Sequence, residues 1–303
     1  MKGQSRRQSV TGFGVMRSLV DIEHFFSNHP LTRNAPLKAW ARFVSWQVRS
    51  RLKEEVIVPW IAGQRLAVRR GMAGATGNIY VGLQEFEDMM LALHFLRKGD
   101  LFLDIGANVG SYTILASGVC RAATWAFEPD PDAVRSLKRN LVINDLNKLV
   151  TVYELALGDA DGEIPFTVGY DTGNRVASSF GEKNVRMVRQ QQLDNLIGGG
   201  PYPIIMIKMD VEGYGEEVLR GARALLANDR LKIIVAEWPT PLIRELLSSH
   251  QFKEASYEPF SRKLQRDARD TFSSNNSLFV RDWELVNSRV ATANHIKIFC
   301  HSI

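Results

Sequence analysis

The sequence is poor in cysteine: Cys120 and Cys300 are its only two, far apart, and they fit no zinc or redox spacing. This excludes a disulfide scaffold and a cysteine-ligated structural metal, and it sets a reducing, cytoplasmic environment as the expectation. Long apolar runs are also missing. No stretch approaches the roughly 18 to 20 residues needed to cross a bilayer, so a transmembrane segment is not expected. The opening stretch MKGQSRRQSVTGFGVMRSLV is basic but has neither a continuous apolar run nor a clear small-residue cleavage site, which argues against a secretory leader. Nor is there a block of like charge. The 38 Lys and Arg against 33 Asp and Glu leave +5, spread along the chain. With basic residues dispersed and no aromatic and basic module, nucleic acid is not an expected partner. The oligomeric state is fixed by none of these features.

What is present is enough apolar material for a large core, 45% of 303 residues, which suits one large domain plus an appendage. The organisation changes near residue 100. Residues 1 to 30 are polar and predict a loose tail or a short helix. From Pro36 to Lys53, Trp40, Phe43, Val44 and Val48 recur at helical spacing among Arg42, Arg49 and Arg51, giving a basic amphipathic helix. Packing on the core is its favoured role, with peripheral contact to a membrane surface or a partner as the alternative. Strands are expected at Val56 to Ile61 and Arg65 to Val68, then a Gly-rich stretch from Gly71 to Gly77 and a helix from Leu83 to Leu96. Residues 1–80 thus read as an N-terminal extension and residues 81–303 as the catalytic domain.

From Leu101 to Trp238 strands and helices alternate, the pattern of a doubly wound, mostly parallel α/β sheet. LFLDIG is the first strand, followed by a helix from Val109 to Gly118. TWAFEP, VTVYELAL, IIMIKMD and KIIVAEW continue the series, with helices from Pro131 to Leu146 and Glu216 to Ala227. An antiparallel pair follows, with SLFVRD its clearest strand.

The chemistry starts at the end of the first strand, in DIGANVGSY. Gly106 and Gly110 let the backbone turn sharply and a ligand approach the peptide groups. Glu128, at the tip of the second strand, is placed to accept both hydroxyls of a ribose; its alternative is a solvated residue beside a turn. A NAD-type dinucleotide-binding oxidoreductase shares these features. Its loop generally reads GxGxxG, however, and Asp104 is awkward beside a diphosphate yet suited to a cationic sulfonium and an amino group.

The stretches FLDIGANVGSYT, AFEPDPDAVRSLKRNLVIND, ALGDADGEIPF and IKMDVEGYGEEVLRGARALL with IIVAEW resemble the FkbM family of methyltransferases, in the family's order, over residues 101 to 238. The resemblance implies a class I methyltransferase (Rossmann-like) fold, S-adenosylmethionine as donor, and O-methylation of a hydroxyl on a small-molecule, sugar, glycolipid or natural-product acceptor. It places Asp104, Gly106, Asn108 and Gly110 around the methionine portion, Glu128 on the ribose, and Ala156 and Leu157 beside the adenine, with Asp159 either at the adenine's amino group or a turn residue ahead of Asp161 and Gly162. A noncatalytic cofactor-binding protein on the same fold is the remaining alternative.

The acceptor site is read from KMDVEG. Lys208 and Asp210 share a strand face, and Asp210 and Glu212 fall at the carboxyl end where such sheets bind ligands. Asp210 is expected as base or orienter, Lys208 as stabiliser of a developing alkoxide, and Glu212 as a brace for Lys208 or substrate. The alternative is a Lys208 to Glu212 ion pair capping the next helix. Glu237 adds a carboxylate to the same rim. A divalent cation held by Asp210, Glu212 and Glu237 is the less favoured arrangement, since three acidic residues at strand ends are common without metal. The RVASSF segment, Arg175 to Phe180 with Ser178 and Ser179, is a candidate cover for the acceptor.

Overall fold

The computed structural model describes residues 18–177, 182, 184–198, 202–266 and 275–303. It opens with helices α1 (Leu19–Asn28) and α2 (Pro36–Leu52), then an antiparallel pair β1 (Glu55–Pro59) and β2 (Arg65–Arg69). Helix α1 starts on a capping box, in which Ser18 and Asp21 exchange side-chain to backbone hydrogen bonds. Pro36 opens α2, where the missing N–H would have had no helical partner anyway.

Helices α3 (Ala73–Val81) and α4 (Phe86–Phe95) lead into the alternating region. This runs β3 (Leu101–Ile105), α5 (Ser111–Ile114), β4 (Ala123–Phe127), α6 (Pro131–Ile143), β5 (Val150–Tyr153), β6 (Ala156–Leu157), β7 (Gly162–Thr167), β8 (Val185–Gln191), α7 (Leu193–Ile197) and β9 (Ile204–Met209). It continues with α8 (Gly215–Arg220), α9 (Arg223–Ala227), β10 (Ile233–Glu237), α10 (Pro241–Ser249), β11 (Lys253–Glu258), β12 (Lys263–Arg266), β13 (Asn276–Val280) and α11 (Trp283–Ala291).

Eight strands form one sheet in the order β12-β11-β13-β10-β9-β3-β4-β5. From β10 to β5 every neighbour is parallel, and β13, β11 and β12 add an antiparallel flank. This is the expected Rossmann-like sheet. From β3 the chain proceeds outward through β4 and β5, then returns to lay β9 on the other side of β3. The crevice between the carboxyl ends of β3 and β9 is therefore the topological switch point, where such sheets bind ligands.

Three elements differ from the sequence reading. VTVYELAL is not one strand: β5 ends at Tyr153, and Ala156 and Leu157 leave the sheet to pair with Gln190 and Gln191 in a separate sheet of order β6-β8-β7. The Gly-rich stretch forms helix α3, in which Gly77 lies against the Gln84 side chain, where a Cβ would displace it. The helix expected from Glu216 to Ala227 breaks into α8 and α9 at Gly221, which sits against the backbone carbonyl of Gly158.

The extension is built into the core. Phe26, Ala39 and Trp46 share one apolar cluster with Tyr80, Ile114, Ala126 and Leu137 from the sheet's flanking helices and strands. Trp46 is 4% exposed. Trp46→Ala is expected to destabilise the folded chain by about 3 to 5 kcal/mol, read as a shift in denaturation midpoint without change of slope. A shift below about 1 kcal/mol would show that α2 is only laid on the surface.

Candidate active site

A cavity of about 760 Å³ opens at the switch point, within the range that holds a cofactor-sized ligand. One wall is the turn after β3. Gly106, at φ +79°, crosses so close to β9 that a Cβ would collide with the Asp210 carbonyl oxygen. That contact fixes the loop against the strand end bearing the acceptor candidates. Gly110 has a different duty: it is absent from the cavity lining, and a Cβ there would strike Leu137 of α6. Asp104, Gly106 and Asn108 line the cavity, as do Ala156 and Leu157. Asp159 does not; it is exposed, and its backbone carbonyl accepts from the Gln192 side chain.

Glu128 is buried and braces the loop, accepting the Asn108 amide (2.8 Å) and the Asp130 amide (2.8 Å). Burial pushes its carboxyl up to about 7 despite these donors, and burial likewise raises Asp104 to about 6 although Thr113 donates to it at 2.5 Å.

The second wall centres on Lys208, 1% exposed at the heart of the sheet. Its Nζ lies 3.5 Å from Asp210 Oδ2 and 3.9 Å from Glu85 Oε2, and donates to Asn276 Oδ1 at 3.4 Å. Asn276 in turn donates to Asp88 (2.8 Å) and Glu85 (3.2 Å), and the Tyr112 hydroxyl donates to Glu85 at 2.6 Å. Burial disfavours the ammonium, but the neighbouring carboxylates, Asp210 first and then Glu85, outweigh it and hold Lys208 above its ordinary value. The expected alternative pairing of Lys208 with Glu212 is not made within 4 Å. Sequence reading missed Glu85, Asp88, Tyr112 and Asn276. The available signal was the three carboxylates Glu85, Glu87 and Asp88 that open EFEDMMLALHF, a run otherwise mostly apolar.

Asp210, Glu212 and Glu237 come together, each offering an oxygen within 4.8 Å of the others, a geometry that could hold a cation. Burial would raise Asp210, yet the Lys208 ammonium keeps it below the ordinary carboxylate range. Burial and the adjacent Asp210 charge push Glu212 to about 7 and Glu237 to about 10. Glu237 therefore keeps its proton and shares it with ionised Asp210. Arg175 lines the cavity, whereas Ser178, Ser179 and Phe180 lie outside the described residues.

Because Glu128 titrates at about 7 in the folded chain against an ordinary 4.5, the folded state binds the extra proton between these values. Stability should therefore fall as pH rises through that window. Glu128→Gln is expected to make this fall in denaturation midpoint shallower by one group's share, the rest coming from the other carboxyls that burial raises, Asp104 and Glu212 among them. An unchanged slope would mean that Glu128 is not titrating.

Residues 104–258 match the Methyltransferase FkbM domain. Hexuronic acid methyltransferase AglP of Haloferax volcanii is 27% identical over 153 residues, covering 50% of this chain and 61% of that protein. Ribosomal protein L11 methyltransferase of Limosilactobacillus fermentum is 32% identical over 95 residues, 31% of this chain and 29% of that protein. The chain thus spans less than two thirds of either relative. Among solved structures, a Methyltransferase FkbM from Methylobacillus flagellatus aligns with 16% identity and a TM-score of 0.42, covering 84% of this chain and 60% of that one. The domain match takes in more than half of the 303 residues and contains both walls' strand ends, and on it the chain belongs to the FkbM family of methyltransferases.

Proposed function

We propose that this methyltransferase moves a methyl group from S-adenosylmethionine to a hydroxyl oxygen of a sugar, or of a glycolipid or natural product bearing one. The observation that carries the reading is the acceptor-rich lining of the cavity. Among the described residues seven carboxyl groups line it, Glu85, Asp104, Glu128, Asp171, Asp210, Glu212 and Glu237, against two cations, Arg175 and Lys208. Two buried oxygens there, Asn108 Oδ1 and Glu237 Oε2, have no partner. Such a surface suits ligands that bring donors and positive charge: a sulfonium, an amino group, and the hydroxyls of ribose and of a sugar. AglP's name joins methyl transfer to a sugar acid, which supports the sugar part of the reading. Family membership sets the dinucleotide oxidoreductase aside.

When bound, S-adenosylmethionine supplies an electrophilic methyl on a cationic sulfur. Asp104 and Asn108 would hold its amino acid portion, Glu128 the ribose, and Ala156 and Leu157 the adenine. The acceptor hydroxyl must lie in line with the methyl and lose its proton as the O–C bond forms. Asp210, low in basicity because of Lys208, is suited to orienting that hydroxyl. Glu212, at about 7, is matched to taking the proton near neutral pH. Lys208 stays charged and stabilises the developing alkoxide. Of the two roles expected of Asp210, base or orienter, this division gives it the second and gives the base to Glu212, two residues on.

Two substitutions separate these duties. With methyl-labelled cofactor and an acceptor found by mass spectrometry of treated cell extract, Asp210→Asn should lower turnover roughly 100-fold while cofactor affinity by calorimetry persists. Glu212→Gln should remove the limb of the rate profile that rises through about 7. If that limb survives in Glu212→Gln and vanishes in Asp210→Asn, Asp210 is the base.

A second reading has its own observation, the three converging carboxylates. A divalent cation there would displace the proton shared by Asp210 and Glu237 and lower the acceptor's pKa. The shared proton makes the metal-free form self-consistent, so activity should persist after exhaustive dialysis against EDTA. Loss of turnover that magnesium or manganese restores would favour the cation.

A further inference from the structure

Helix α2 is apolar on two faces. Ala39, Trp46 and Ser50 are buried against the core, yet Leu37 (81%), Val44 (54%), Val48 (53%) and Leu52 (78%) stand exposed. At roughly 100° per residue, Leu37, Ala41, Val44, Val48 and Leu52 fall on one continuous outer stripe. From Pro36 to Leu52 the helix has no acidic residue and carries Lys38, Arg42, Arg49 and Arg51. On the helical wheel Lys38 and Arg49 border the stripe on one side and Arg51 on the other. Acidic groups stand towards its ends: Glu23, which accepts the Trp40 indole N–H, and Glu54, beyond Lys53.

Beside the stripe lies a groove of about 430 Å³ lined by Arg42, Arg49, Trp60, Lys297 and Phe299, with no acidic side chain in its lining among the described residues. The groove is held in shape. The Arg42 guanidinium sits 3.9 Å from the centre of the Phe299 ring, its Nε donates to the Tyr80 carbonyl at 2.7 Å, and the Trp60 indole donates to the Gly82 carbonyl at 2.6 Å. Ala41, Ser45 and Arg49 belong to the groove wall as well as to the outer side of α2, so stripe and groove form one surface.

We propose that this surface docks on an anionic lipid bilayer, the stripe entering the interface while Arg42, Arg49 and Lys297 receive a headgroup phosphate. Charge selects this occupant. A second copy of the chain would set Lys38, Arg49 and Arg51 against the same cations, whereas an anionic bilayer offers acyl chains to the stripe and phosphates to its borders. One helix face is a weak anchor, so docking is reversible and salt-sensitive. Asn78 lines both this groove and the catalytic cavity, so a docked molecule holds its cavity one helix away from the lipid surface. The inner face of α2 covers the core, as the sequence predicts; the outer face has this second use.

The test is flotation of the full chain with phosphatidylcholine vesicles containing or lacking phosphatidylglycerol, at low and high salt. Binding is expected only with phosphatidylglycerol, and to weaken with salt. Val44→Glu with Val48→Glu, both at exposed positions, should reduce partition at least about tenfold with an unchanged melting temperature. Lys297→Glu, also exposed, should weaken binding through the groove alone. The proposal fails if the wild-type chain ignores phosphatidylglycerol, or if the double variant binds as well as wild type. It also fails if the chain dimerises through the stripe, seen as a dimer in light scattering that the double variant abolishes. None of these outcomes depends on methyl transfer.

Discussion

A lysine ammonium buried at the centre of the sheet constrains everything around it. Taking such a charge out of water costs several kcal/mol unless partners surround it, and removing one partner leaves the others uncompensated. Lys208 meets that demand with Asp210 from its own strand end, Glu85 from the approach to α4 and Asn276 from β13. Those groups need partners in turn: Tyr112 and Asn276 both donate to Glu85, and Asn276 also donates to Asp88. One charge therefore ties α4, α5, β9 and β13 into a single polar network. A fully satisfied network of this kind rigidifies what it holds, and here it holds one wall of the cavity.

The sheet topology places this network beside the cofactor loop. Asp104 of β3 and Lys208 of β9 are direct neighbours in the parallel register, and the next strand puts Val235 beside Lys208. Asp210 continues the ladder by donating its amide to the Ile105 carbonyl at 2.9 Å. The Gly106 turn thus lies against the backbone that carries Asp210, and the two halves of the site cannot shift independently by much. Preorganisation of this sort is what an in-line transfer requires.

Much of this was legible in the sequence because strand ends are local features. Asp104, Lys208, Asp210, Glu212 and Glu237 all sit where an apolar run stops, and the alternation of side chains puts them on the rim. Glu85 and Asn276 were not legible for the opposite reason. They are about 190 residues apart and meet only because β13 inserts antiparallel beside β10, pairing Asn276 with Glu237. The break between β5 and β6 was hidden as well, since VTVYELAL is apolar enough for either path and only the pairing with β8 decides. Asp159 shows the limit from the other side: its neighbours Ala156 and Leu157 line the cavity, but the chain turns outward immediately after them.

The net charge of +5 conceals a separation that only the folded chain displays. Counted at formal charge, two cations against seven carboxyl groups make the described cavity lining five negative and leave the rest of the chain a net ten positive. The proton kept by Glu237 and the raised Glu128 and Glu212 make the lining's negative charge near neutral pH smaller than that count. A negative field inside the cavity would favour the cationic donor proposed above over its neutral by-product, since transfer of the methyl would remove the positive charge from sulfur and so assist product release. Outside, Lys38, Arg42, Arg49, Arg51 and Lys297 place part of the compensating charge where α2 borders its groove, on the other side of Asn78 from the cavity. A mild overall charge is therefore compatible with a cavity and an outer surface of opposite sign on one chain.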